Sequence, residues 1–217
     1  MKRLSSVLLF SFSLTPFASA QLIDASERGF VCTTTLGCSN NGADPGNNYV
    51  AGFLLAEGQF RDWFEFDIPT LTGSLLSATL NLDDPLHFGG SLTYAVYGLA
   101  AEPTAFGDVT TSNPFALPVT TSSADNGTTI SITLSSAALA AITADQGGHI
   151  FIGGIDSGET SSTNAGDFAR TGLGTGVTSL SLTTGPAPVP EPASIVLFAP
   201  LLIVSLVALR RKTRRLS

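Results

Sequence analysis

Apolar and polar residues alternate with period two through most of the stretch between residues 48 and 184. In "FRDWFEFDI", Phe60, Phe64, Phe66 and Ile68 share one parity while Arg61, Trp63, Glu65 and Asp67 share the other, so a half-buried strand is expected, ended by Pro69. "SLLSATLNL" from Ser74 repeats the pattern, with Leu76, Ala78, Leu80 and Leu82 inward and Asp83-Asp84-Pro85 closing it. "SLTYAVYGL" from Ser91, "TTISITL" from Thr128, "HIFIGGI" from His149 and "VTSLSLT" from Val177 read as further strands. Shorter ones are expected around Asn48 to Leu55, Pro118 to Thr121 and Asp167 to Arg170.

One segment breaks the rhythm. In "SSAALAAITADQGG" a serine, Ser135 or Ser136, can cap a short alanine-rich helix, and Gly147 supplies a left-handed stop. The expected fold is all-β, a β-sandwich with one short crossover helix covering its end.

The two ends of the chain follow other rules. Lys2 and Arg3 precede an apolar run from Leu4 to Leu14, and Ala18-Ser19-Ala20 offers the small-x-small pattern cut by signal peptidase, with Gln21 as the new N-terminus. At the other end, Ile195 to Leu209 is apolar apart from Pro200 and Ser205, and Arg210, Arg211, Lys212, Arg214 and Arg215 follow at once. The run alone is shorter than the ~20 residues that span a bilayer, but counted from Glu191 the stretch to Leu209 has 19 residues and is expected to form a single transmembrane helix, and the positive-inside rule keeps the basic cluster cytoplasmic, with everything before it outside. The expected division is a signal peptide over 1–20, an ectodomain over 21–184, a Pro-rich spacer over 185–193, a membrane helix over 194–209 and a basic tail over 210–217.

Charge narrows the function. The region from Gln21 to Val189 holds all the acids except Glu191, 16 of the 17, against Arg28, Arg61 and Arg170, a net charge near -13. That balance argues against nucleic acid and anionic membrane surfaces as partners, because both select a basic footprint. Cys32 and Cys38, an even and closely spaced pair in an exported chain, are expected to form a disulfide that pins a short loop.

Val189, Pro190, Glu191 and Pro192 stand immediately before the apolar run, and the two prolines hold this segment extended. The order Pro-Glu-Pro, apolar helix, Arg-rich end closely resembles the PEP-CTERM sorting signal of bacterial surface and extracellular proteins. The resemblance covers Val189 to Ser217. It implies export by the general secretory route in a Gram-negative, exopolysaccharide-producing bacterium, then cleavage by an exosortase near Pro190. Signal peptidase, exosortase and the exopolysaccharide are the implied partners, and the cell surface or extracellular matrix the destination. "RGF" at Arg28, "NNYVAG" at Asn47, "FRDWFEFDIP" at Phe60, "SATLNL" at Ser77, "FGDV" at Phe106 and the stretch from Ile130 to Gly154 are similar to an ectodomain recurrent among such proteins. That likeness implies a jelly-roll-like sandwich and brings no catalytic residues.

Candidate chemistry is sparse. Glu65 and Asp67 share a strand face about 7 Å apart, the range of paired glycosidase carboxylates, or are an ordinary solvent face. Trp63 with Arg61 beside it is either a sugar-stacking platform, as in a carbohydrate-binding module, or a residue buried under a loop. Asp83-Asp84, the "ADPGNN" loop from Ala43, Asp125 with Asn126, and Asp156 with Glu159 offer oxygen ligands for a structural calcium ion, yet serve equally as turn residues. His87 and His149 read as loop and strand-end residues, no metal-ligand set emerges, and no cofactor is implied. There is no Gly-x-Ser-x-Gly elbow, and "GLGTG" from Gly172 lacks the strand and helix of a phosphate cradle. A non-enzymatic role is expected.

Overall fold

A computed structural model describes residues 18–33, 49–54, 58–83, 86–89, 91–157, 166–170 and 177–186. These belong to a compact unit, Met1–Pro186, and the remaining unit, Ala187–Ser217, lies outside the described residues. The strands are β1 (Ser19–Asp24), β2 (Glu27–Cys32), β3 (Tyr49–Leu54), β4 (Gly58–Asp67), β5 (Leu75–Asp83) and β6 (Leu86–Gly89), then β7 (Leu92–Leu99), β8 (Val119–Thr121), β9 (Thr129–Thr133), β10 (His149–Asp156), β11 (Gly166–Arg170) and β12 (Ser179–Thr184). The described body is therefore all-β, with one α-helix, α1 (Ser136–Ala144).

Two antiparallel sheets share the work. The smaller runs β1-β12-β5-β9, and the larger runs β6-β11-β3-β4-β10-β7-β8, with β2 also paired to β4. Their inward parities meet in one apolar core, to which β4 gives Phe64 and Phe66, β5 gives Leu80 and Leu82, β10 gives Ile150 and Ile152, and β12 gives Leu180 and Leu182. Full burial of side chains of this size stabilises the fold by about 1.5–3 kcal/mol each.

The helix crosses from β9 in the small sheet to β10 in the large one and buries Ala138 and Ile142. Ser135 caps its start by accepting from the Ala138 N–H, and Gly147 follows its end at φ +80. That left-handed turn delivers Gly147 N–H to the Ile68 carbonyl and lets Ile68 N–H reach Gly148, at 2.7 and 2.9 Å. The start of β10 is thereby locked against the end of β4.

Two expectations change. Leu76 is not inward but 58% exposed, because the β5–β12 register slips between Thr183 and Thr184 and the bulge turns Leu75 toward the core instead. His87 is not in a loop: it lies in β6, buried, its backbone N–H donates to Asn126 Oδ1 at 2.8 Å, and its ring Nδ1 lies 3.0 Å from the same oxygen. Strand β1 begins at Ser19 and pairs Ala20 with Thr183 and Gln21 with Leu182 of β12.

Cys32 closes β2, and its expected partner Cys38 lies outside the described residues. So do the sorting motif Val189 to Pro192, the apolar run and the basic residues Arg210 to Arg215. Among the described residues no helix is long and apolar enough to cross a membrane.

Candidate functional site

Strand β4 carries the candidate residues on its outward parity, and the structure separates them into two groups. Arg61 and Trp63 are covered. Trp63 is fully buried, which overturns the exposed sugar platform. Its register neighbours are Gly29 on β2 and Gly153 on β10, so neither cross-strand partner places a side chain of its own beside the indole. A Cβ at position 29 would come within 2.9 Å of Trp63 Nε1, which is why glycine is needed there. Over the same face folds the segment between β7 and β8: Val109 is fully buried in a small second cluster with Val31 and Ile155.

Arg61 holds that segment down. Its guanidinium donates to the carbonyls of Val109 at 2.6 Å and Phe106 at 3.2 Å, and lies 3.8 Å above the Phe106 ring. Burial lowers its pKa from the ordinary arginine value, with Tyr97 acting in the opposite sense. Arg61 is thus a clamp on a loop, and the possible glycan platform of Arg61, Trp63, Glu65 and Asp67 loses its aromatic ring and its arginine. Trp63 is the only tryptophan, so its emission should be that of a buried indole, scarcely quenched by acrylamide until the protein unfolds. Quenching of the folded protein as strong as that of free tryptophan would contradict this placement.

The second group is new. Antiparallel pairing sets His149, the first residue of β10, opposite Asp67, and Phe151 opposite Glu65. His149 Nδ1 then lies 2.6 Å from Asp67 Oδ1 and 2.9 Å from Glu65 Oε1, and the three atoms fall within 4.8 Å of one another. Glu27 of β2 stands opposite Glu65 from the other side, so the patch is acidic apart from the imidazole. Ser26 adds a hydroxyl 3.5 Å from Asp67 Oδ1. Partial burial pushes the Glu65 pKa up, His149 pulls it down, and Glu27, Asp67 and Glu102 push it up further. Beside Asp67 and His149 runs a groove of about 280 Å³ floored by Ile68, Pro69, Gly147 and Gly148.

The two carboxylates converge on one nitrogen and do not face each other across an open cleft. Glycosidases need the latter, with the scissile bond between the two groups. The larger groove, about 660 Å³ between residues 98 and 113, holds Glu102 and Asp108. Asp108 is a turn residue: it accepts from the backbone N–H groups of Thr104 and Ala105 at 2.9 and 2.8 Å, which hold its pKa below the usual carboxylate range.

The calcium candidates are also engaged in structure. Asp125 Oδ2 accepts from Ser122 N–H, Asn126 serves His87, and Asp156 Oδ1 accepts from Thr93 N–H. Asp84, Glu159 and the "ADPGNN" loop lie outside the described residues.

A buried acid completes the inventory. Asp62 has the inward parity of β4, between Phe60 and Phe64, and that parity is the sequence signal that finds it. It is fully buried and accepts from the Tyr94 hydroxyl at 2.8 Å, while its Oδ2 has no hydrogen-bond partner among the described residues. Burial raises its pKa to about 7, against the smaller opposing effects of Tyr94 and the Gly154 backbone. The chain matches no known family model and no curated protein.

Proposed function

We propose that the chain is an exported, non-enzymatic protein of the bacterial cell surface or exopolysaccharide matrix, sorted through its PEP-CTERM tail, with a jelly-roll-like sandwich as its functional body. The observation that carries this reading is where the two ends of the body lie. The first described strand and the last are hydrogen-bonded neighbours, and Ser19 pairs with Thr184. Paired strands lie about 4.8 Å apart. A segment leading into β1 and a segment following β12 therefore start from the same corner of the small sheet.

That arrangement suits a precursor held by one membrane at both its signal peptide and its C-terminal helix, since neither attachment would pull a strand across the body. The stiff "GPAPVPEP" stretch from Gly185 to Pro192 would then hold the cleavage point clear of β12. The acidic surface fits a hydrated polysaccharide matrix better than any nucleic-acid role. In this reading Pro190, Glu191 and Pro192 are recognised by an exosortase, the run from Ile195 to Leu209 retains the precursor, and Arg210 to Arg215 orient it.

The test is the intact mass of the protein from producing cells and from their medium. The expected product begins at Gln21 and ends near Pro190. A medium or surface fraction that keeps Arg210 to Arg215 would overturn the sorting claim and leave a membrane-held domain.

A further inference from the structure

We infer that Glu65, Asp67 and His149 form a surface site for one divalent metal ion of the zinc class, with the coordination positions facing solvent left to water. The inference goes beyond the sorting reading and stands whether or not the tail is cleaved.

The first argument is geometric. A neutral imidazole has one N–H, and Nδ1 can direct it at a single acceptor, yet two carboxylate oxygens crowd this nitrogen at 2.6 and 2.9 Å. One metal ion satisfies all three groups at once. Tetrahedral zinc takes nitrogen and carboxylate oxygen at about 2.0–2.2 Å, so two of its ligand atoms stand about 3.3–3.6 Å apart. The two contacts to Nδ1, at 2.6 and 2.9 Å, need to open by about 0.4–1 Å to admit the ion. Asp67 and His149, with side chains 64% and 59% exposed, can make that adjustment around the more covered Glu65, whose side chain is 14% exposed.

The second argument is charge. Two carboxylates sum to two negative charges, and a protonated histidine could offset only one of them. Of the arginines with described side chains, Arg28 donates to Thr178 and Arg61 is bound to the Phe106 and Val109 carbonyls. Glu27, opposite Glu65, adds to the imbalance. A dication neutralises the ligand set without a counter-charge from the protein.

The third argument selects the ion. Calcium and magnesium take oxygen ligands, whereas imidazole suits zinc, copper, nickel and iron. The histidine is therefore the residue that sets the metal class. The backbone supporting it is rigid: β4 and β10 are paired from Asp67 to Arg61, and the Gly147 and Gly148 bonds to Ile68 fix the strand end where the site lies. Bound metal would cross-link the ends of two central strands of the large sheet.

The test uses the full-length protein without an affinity tag, in detergent. Calorimetric titration with zinc chloride is expected to show one ion per chain, with affinity falling tenfold or more in His149→Ala and in Glu65→Gln. Calcium chloride is expected to give no binding that depends on His149. Because only two histidines exist and His87 is buried, cobalt(II) added to the unmodified protein should shift the ring proton signals of His149 and spare those of His87. The absence of saturable zinc binding, zinc binding unchanged in both variants, or a cobalt effect that misses His149 would each overturn the site. The cobalt measurement needs no variant, so a folding defect in a substituted chain does not obscure the answer.

Discussion

Raising the pH from about 4 to about 8 is expected to weaken the folded body by as much as about 4 kcal/mol through Asp62 alone, and Asp62→Asn should remove that dependence. The sign follows from burial. An ordinary aspartate ionises near 3.8, and Asp62 in the folded protein does so at about 7. Between those values the folded state binds a proton that the unfolded state has released, so stability falls as pH rises through the window. Below it both states are protonated and the penalty is absent; above it both are ionised and the penalty is complete. Asparagine keeps an acceptor for the Tyr94 hydroxyl and carries no charge to desolvate, so the variant should be the more stable of the two above pH 7. Urea unfolding followed by Trp63 emission at several pH values measures this. Parallel stability profiles for the parent and Asp62→Asn would show that the Asp62 carboxyl is not the titrating group.

Gly154→Ala is expected to destabilise the protein by about 3 kcal/mol or more, one of the largest effects available to a single methyl group here. A Cβ at position 154 would overlap both the Tyr94 hydroxyl and Asp62 Oδ1. Neither can retreat, because both are fully buried in strands locked in register, β7 and β4, on the two sides of β10. The methyl group would break the buried hydrogen bond and strand an acid in an apolar surround. Gly147→Ala provides the comparison. Its nearest neighbour, Thr70 Oγ1, stands 4.0 Å away, so its constraint is the backbone φ of +80 alone, which costs about 1–2 kcal/mol for alanine. If Gly154→Ala were no worse than Gly147→Ala, the crowding described around the acid would be wrong.

The strand pattern was largely legible because period two is a local property. All nine strands expected from alternation and turn residues are present, as is the helix with its Ser135 cap. The three strands that alternation does not reveal each have a reason. Ser19–Asp24 begins with the small residues that also mark a cleavage site, Glu27–Cys32 carries Arg28 and Gly29 where alternation wants other residues, and Leu86–Gly89 has only four residues. Parity placed Glu65 and Asp67 together on one face, yet it could not bring in His149, because which strand lies beside β4 and in what register is a property of the whole sheet. The same holds for Trp63. Its parity is outward, and its burial depends on Gly29, Gly153 and a loop near Val109, all remote in sequence.

Strand β12 is the last described strand and occupies an interior place in the small sheet, between β1 and β5. Its Leu180 and Leu182 are fully buried, and its partner β1 begins 165 residues earlier. A chain made from its N-terminus forward therefore cannot close this sheet until synthesis has passed Thr184. Any shorter product would keep two unpaired strand edges and an uncovered row of leucines, the features that invite proteolysis and aggregation. The fold thus checks the length of its own body: only a molecule completed through Thr184 can close the small sheet.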